Sequence, residues 1–318
     1  MWFFQPAAFD IGLIYGLMAL GVYMTFRILN FADLTVDGSF VTGAAIAASG
    51  ILTGVPPLLA TFFGFLTGCV AGVLTGLLNT KGKIDPLLAG ILTQIALYSI
   101  NLRIMGKANL ALLRSDTLLS GMRDAGLLGT WGSVAVFGVL VAAVAAALVW
   151  FLGTNVGLGM QAAGNNPTMA RSQGVHTSWM IILGLSLSNG LVAISGALMA
   201  QYQGFADISM GIGTIVIGLA SVILGQAILG QKPVWRGILA ALFGSVLYRA
   251  VLQAAMEAKI GLNPSDMKII SAVLVIAALL LPKLPFFQAM ARARHEREIA
   301  KQVLDADIAA ARNVTDVD

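Results

Sequence analysis

The sequence predicts an all-α fold, a polytopic transmembrane bundle of about nine helices within a range of eight to ten. Three observations carry this. Hydrophobic residues make up 58% of the 318 residues and charged residues 11%, against about 25% charged in an average soluble domain. Mean hydropathy is +0.87. Apolar runs close to the ~20 residues that a membrane helix needs recur along most of the chain. The 36 glycines fit the same class, because glycine lets helix backbones approach closely inside a membrane.

Taken in order, the predicted spans are 8–27, 38–54, 57–79, 86–106, 130–152, 178–200, 212–230, 237–256 and 266–282. The 38–54 run is short and follows a polar stretch, which predicts a discontinuous helix. Lys107, Arg114, Asp116, Arg123 and Asp124 mark 107–129 as an external loop with a short interfacial helix. Residues 1–282 then form the membrane domain and 283–318 a polar tail, helical over 284–312. Its Arg292, Arg294, Arg297 and Lys301 either meet anionic lipid headgroups or face solvent. Asn313-Val-Thr315 matches a glycosylation sequon, which a cytoplasmic tail would leave without meaning. Residues 1–10 lack a positive n-region and a small-residue cleavage site, so the first apolar run is expected to be retained.

Lys and Arg set the expected orientation. Nine spans place Arg27, Lys81, Lys83, Arg171, Lys232, Arg236 and six tail residues on one side. Arg103, Lys107, Arg114, Arg123, Lys259 and Lys268 fall on the other, twelve against six. The C-terminus is therefore expected in the cytoplasm and the N-terminus outside.

Composition also excludes chemistry. A lone Cys69 allows no intrachain disulfide, and His176 and His295 alone do not make a metal site. A formal charge of +4 fits membrane orientation better than nucleic-acid binding. The chain has no phosphate loop of the G-x-x-x-x-G-K-[ST] form, no H-E-x-x-H, no G-x-S-x-G and no convincing acid–base pair of carboxylates. No catalytic residue and no cofactor are expected in it. An ion-coupled secondary transporter or channel is the competing class, and it needs ionisable groups within spans. The candidates are Asp10 and Arg249, both read as interfacial or paired.

Polar residues inside the membrane domain collect in three places. The stretch 27–39 contains Asn30, Asp33, Asp37 and Ser39, and Asp37 or Ser39 is placed to cap the second helix. A helix start at membrane depth exposes N–H groups beside a transport path; an ordinary loop is the alternative. Gln94, Tyr98 and Asn101 share one face of the fourth span. That face either lines the path or bonds a neighbouring helix. Asn189 and Ser186 on the sixth span carry the same two readings. Phe31-Ala32-Asp33-Leu34 recurs as Phe205-Ala206-Asp207-Ile208, five spans later. An odd number of spans makes this an inverted repeat, with chance identity as the competing explanation.

The loop 157–177 is polar and too long for a minimal turn. Asn166 before Pro167 predicts a helix start and Gly174 its close, giving a short helix across the cytoplasmic face. The pattern Gln161-Ala162-x-Gly164-Asn165-Asn166-Pro167-x-x-Ala170-x-x-x-Gly174 resembles the coupling-helix loop of ABC-importer permeases of the branched-chain amino acid, ribose and nucleoside type. Where many members carry Arg, this chain has Met160 and Gln161. Ile28-Leu-Asn30-Phe31-Ala32-Asp33-Leu-Thr-Val-Asp37-Gly38 resembles that family's second-helix start, most closely an uncharacterised subgroup for amino-acid-like ligands.

The resemblance covers residue 8 to about 282 and implies a type II-like importer permease in the bacterial inner membrane. It implies a second permease copy, cytoplasmic ATPase subunits carrying ATP and Mg, and an extracytoplasmic binding protein. It further implies that Gln161 to Gly174 docks on the ATPase and that an amino-acid-like solute moves by alternating access. A sugar or nucleoside is the second choice of cargo.

Overall fold

The computed structural model describes residues 5–112, 115–230, 233–257 and 267–280. Among the described residues, seven helices are long and apolar enough to cross a membrane: α1 (Pro6–Tyr23, extended to Ile28 by a π-helical turn), α2 (Thr35–Leu52), α3 (Pro57–Thr80), α4 (Pro86–Met105), α6 (Trp131–Gly153), α9 (Thr177–Gln203) and α11 (Val234–Glu257). Two shorter apolar helices, α10 (Thr214–Leu229) and α12 (Met267–Leu280), occupy the other two predicted spans. About nine spans therefore stands. The helical tail over 284–312, its arginines, and the charges at Arg114, Lys232 and Lys259 lie outside the described residues.

Local chemistry sets most ends. Proline opens α1, α3 and α4, where its missing N–H costs nothing. Asp85 caps α4 and Thr130 caps α6 through their side chains. Gly106 and Gly204 close α4 and α9 in the left-handed region that favours glycine. The 107–129 connection holds the expected short helix, α5 (Ser120–Asp124). It also holds a strand, β1 (Asn109–Ala111), that pairs antiparallel with β2 (Phe205–Asp207). Three-residue strands leave too short an alternation to be seen in sequence. Asp207 is partly buried, which would raise its pKa. Hydrogen bonds from Ser209 and Asn109 outweigh that and hold its carboxyl below the usual carboxylate range.

α1, α2 and α9 form the buried centre, with Leu17, Met18, Phe40, Leu185 and Met199 fully enclosed. α4 and α6 turn large apolar side chains outward, Val139 and Trp150 among the most exposed, as helices facing hydrocarbon should. Glycine recurs once per turn along α3: Gly64 lies against Gly43 of α2, and Gly68, Gly72 and Gly76 pack on α9. A Cβ at Gly68 or Gly72 would overlap the α9 backbone. This is the small-residue packing that membranes favour.

The packing obeys an exchange rule. α2 lies on α3 and α4, as α10 lies on α11 and α12. α9 lies on α2 and α3, as α1 lies on α10 and α11. Swapping α1–α4 for α9–α12 leaves this pattern unchanged. The two copies of the Phe-Ala-Asp motif sit at matching places, before α2 and before α10. In each, the Asp carboxylate accepts a hydrogen bond from the backbone two residues on, Thr35 N at 2.9 Å and Ser209 N at 2.8 Å. The repeat is thus a property of the packing and not of three letters alone.

Candidate functional site

The break after α1 is built from backbone first. The π-helical turn ends with Leu29 N donating to Met24 O and Phe31 N donating to Thr25 O. Asn30 then takes φ +51°, a conformation that Asn tolerates better than most residues, and its side chain stays exposed. Asp33 turns back into the bundle, only 2% exposed. Its Oδ1 accepts from Thr35 N, and its Oδ2 accepts from Asn189 Nδ2 at 2.7 Å. Ser39 Oγ donates to Asn189 Oδ1 at 2.7 Å. Thr35 and Thr75 hydroxyls meet at 2.8 Å, and Thr75 reaches Thr93 at 3.0 Å. The network joins α2, α3, α4 and α9, and it satisfies the groups that a buried carboxylate would otherwise leave unmatched.

Two expectations about α2 change here. The helix starts at Thr35, earlier than the apolar run suggested, because the Asp33 turn satisfies its first N–H. Neither Asp37 nor Ser39 caps it. Asp37 instead caps α10: its Oδ1 accepts from Thr214 Oγ1 at 2.9 Å and Ile215 N at 2.8 Å, and its Oδ2 accepts from Gly213 N at 3.0 Å. The start of α10 has no side-chain cap of its own. In the repeat, Asp37 aligns with Gly211, and a Cβ at Gly211 would overlap the Asp37 carbonyl oxygen.

Beside this contact lies a small cleft of about 60 Å³. It is lined by Asp37, Gly38 and Val41 of α2, Gln94, Tyr98 and Asn101 of α4, and Ile208, Gly211 and Ile212 before α10. No lining residue is Lys, Arg or His. Gly38 lets α4 approach, since a Cβ there would sit 2.9 Å from Leu97. Tyr98 is half exposed and Asn101 fully buried. Asn101 Nδ2 donates to Gly38 O over a long 3.4 Å, and its Oδ1 has no partner among the described residues. Leaving a buried acceptor unmatched costs about 1–3 kcal/mol.

Of the eight expected path residues, Asp37, Gln94, Tyr98 and Asn101 share the cleft. Asp33, Ser39 and Asn189 form the adjoining network, and Asn30 stands apart at the turn. Sequence reasoning missed Gly38, Gly211 and Ile212. The repeat that aligns Asp37 with Gly211 could have found the last two.

The loop after α6 holds two helices where one was expected, α7 (Asn155–Asn165) and α8 (Pro167–Ser172). Three glycines within 157–164 hide α7 in the sequence, but Thr154 caps it and the hinge at Asn166 ends it. Asn166 Oδ1 accepts from Met169 N at 3.0 Å and so caps α8. Gly174 has φ +83°. Ala162, Asn165, Asn166, Pro167 and Gly174 are exposed. Ala170 is buried, and Gln161 Nε2 donates inward to Leu152 O at 2.9 Å. Gly164 faces the break itself: a Cβ there would overlap the Ile28 carbonyl oxygen and crowd Leu29. The exposed edge of this arm borders a wide cleft of about 430 Å³ that includes Asn79, Lys83, Asp85, Arg171 and Ser178.

The two residues singled out as ion-coupling candidates, Asp10 and Arg249, do other work. Asp10 is buried in α1 and accepts from Ser133 Oγ at 2.6 Å and Tyr202 OH at 3.4 Å. The Arg249 guanidinium lies 3.9 Å from the Tyr15 ring centroid, a cation–π contact. Among the described residues no three His, Cys, Asp or Glu side chains gather as metal ligands would.

Residues 10–279 match the family described as branched-chain amino acid transport system, permease component. The chain is 42% identical to the tyrosine transport system permease protein of Clostridioides difficile (strain R20291), over 84% of this chain and 87% of that one. It is 33% identical to an uncharacterized protein of Rickettsia prowazekii (strain Madrid E), over 82% and 91%. It is 26% identical to the ribose import permease protein RbsC of Bacillus subtilis (strain 168), over 84% and 81%.

Proposed function

This chain belongs to the family of branched-chain amino acid transport system permease components, and we propose that it moves an aromatic, tyrosine-like amino acid inward. It is the membrane-spanning permease subunit of an ABC importer. A separate cytoplasmic ATPase supplies the energy, an extracytoplasmic protein delivers the solute, and a second copy of the chain completes the path in the inner membrane. The C-terminus and the α7–α8 arm lie on the cytoplasmic side. The ATP and Mg that the family implies belong to the partner.

One observation carries the mechanism: the arm that offers Asn165, Asn166 and Pro167 outward presses Gly164 onto the broken end of α1. A push on α8 is thereby delivered to Ile28 and Leu29. From there it reaches Asp33, its bond to Asn189, and the Asp37 cap on α10. Packed elements transmit motion because they do not deform continuously. Solute specificity rests on the relative at 42% identity, and the pore itself contributes little affinity.

The test is reconstitution with the ATPase and binding protein in proteoliposomes, with radiolabelled L-tyrosine. Uptake that needs ATP and is indifferent to ionophores is the expected result. Uptake driven by an ion gradient without the ATPase would overturn the reading. ATP-driven uptake of ribose instead of tyrosine would replace only the cargo.

A further inference from the structure

We infer that Asn101 Oδ1 is the acceptor in the cleft between α2 and α4 for the ammonium group of the passing solute, so that this permease selects amine-bearing cargo itself. The inference rests on the import reading above and goes beyond it, since that reading leaves recognition to the binding protein.

Three features of the cleft point to an amine. Asn101 is fully buried, and its amide nitrogen is turned toward Gly38 O. The end that remains is therefore an acceptor, and it has no partner among the described residues. Second, the lining carries Asp37 and no cation. The Asp37 oxygens are held by three donors at the start of α10, but its negative charge stays in the wall. A carboxylate or phosphate would find no counter-charge there, whereas an ammonium would. Third, Tyr98 offers a half-exposed ring at the rim, on which a cation or an aromatic solute can lie.

The cleft is far smaller than the roughly 300–1,000 Å³ of ligand pockets, so a solute enters only if its walls part. Gly38 is the point of close approach between α2 and α4. Parting those helices opens the site and releases Asn101 from Gly38 O.

The experiment compares Asn101→Leu with Asn101→Asp in the reconstituted transporter. Radiolabelled L-tyrosine and its desamino counterpart 3-(4-hydroxyphenyl)propanoate are the probes, and ATP hydrolysis is followed in parallel. Both variants lose the amide donor to Gly38 O, and only Asp keeps an acceptor. Asn101→Leu should lower tyrosine uptake at least ten-fold while the ATPase stays active, and Asn101→Asp should lower it less than three-fold. The desamino compound should be carried at least ten-fold more slowly than tyrosine by the wild type. Equal effects of the two substitutions, or a greater loss in Asp than in Leu, overturn the inference. So does equal carriage of the two probes, and in these cases ATP-driven tyrosine uptake by the wild type keeps the importer reading intact. No ATP-driven uptake of either probe overturns the amino-acid cargo and the inference with it, and ATP-driven uptake of ribose in the same vesicles then keeps the importer reading.

Discussion

Asp37 stands in the first turn of one helix and serves the first turn of another. A helix start leaves N–H groups without partners, and at the start of α10 Asp37 supplies acceptors from across the bundle. Removing such a cap costs about 0.5–2 kcal/mol. Asp37→Ala should lower the unfolding temperature of the purified chain in detergent, and Asp37→Asn should fall between it and wild type because one acceptor oxygen remains. Three indistinguishable melting curves would refute the cap. Asn189 is the other residue on which several groups depend, because it donates to Asp33 and accepts from Ser39. Asn189→Leu strands both of these buried groups, at about 3 kcal/mol. Adding Asp33→Leu removes the stranded carboxylate, so the double variant should be more stable than Asn189→Leu alone. Additive losses would mean that the two side chains are not coupled.

At the scale of elements, the α7–α8 arm and the broken end of α1 meet at Gly164. Gly164→Ala puts a methyl group where the Ile28 carbonyl oxygen is, so the arm must lift or the break must shift. The expected outcome is ATP hydrolysis within about two-fold of wild type with transport at least ten-fold lower, because the ATPase still meets the exposed edge at Asn166 and Pro167. Gly174→Ala strains only the turn after α8, at roughly 1 kcal/mol, and should reduce transport far less. If both substitutions act alike, Gly164 has no special link to the break. This element also shows what a sequence displays. The spans were legible because burial in hydrocarbon demands ~20 apolar residues in a row. The helix α8 was legible because Asn166, Pro167 and Gly174 are local signals. α7 was not, since its glycines argue against helix and it is held by its Thr154 cap and by packing on α6, α9 and the broken end of the first span. The Asp37 cap was also hidden: a carboxylate near one helix start looks like that helix's own cap, and only tertiary packing brings residue 213 to it.

Across the whole molecule, the exchange symmetry of α1–α4 with α9–α12 separates what is fixed from what can move. α3 and α9 are joined backbone to backbone through Gly68, Gly72 and Gly76, which leaves no room for sliding. α2, α4 and the start of α10 instead meet around a cleft with an unmatched acceptor in its wall. Alternating access therefore has to open the second contact and spare the first. Two bridges test this. The Cys69 side chain of α3 lies beside Ser186 of α9, so Ser186→Cys paired with the native Cys69 places a thiol pair inside the fixed contact. Gln94→Cys with Ile212→Cys, in a Cys69→Ala background, places a pair across the cleft. Oxidation of the first pair should leave at least half of the uptake. Joining the second with a short bifunctional thiol reagent should stop uptake, and a reducible reagent should restore it on reduction. Arrest by the first bridge, or full transport with the second in place, would show that the moving boundary runs elsewhere. In that case the path would not pass between α4 and α10.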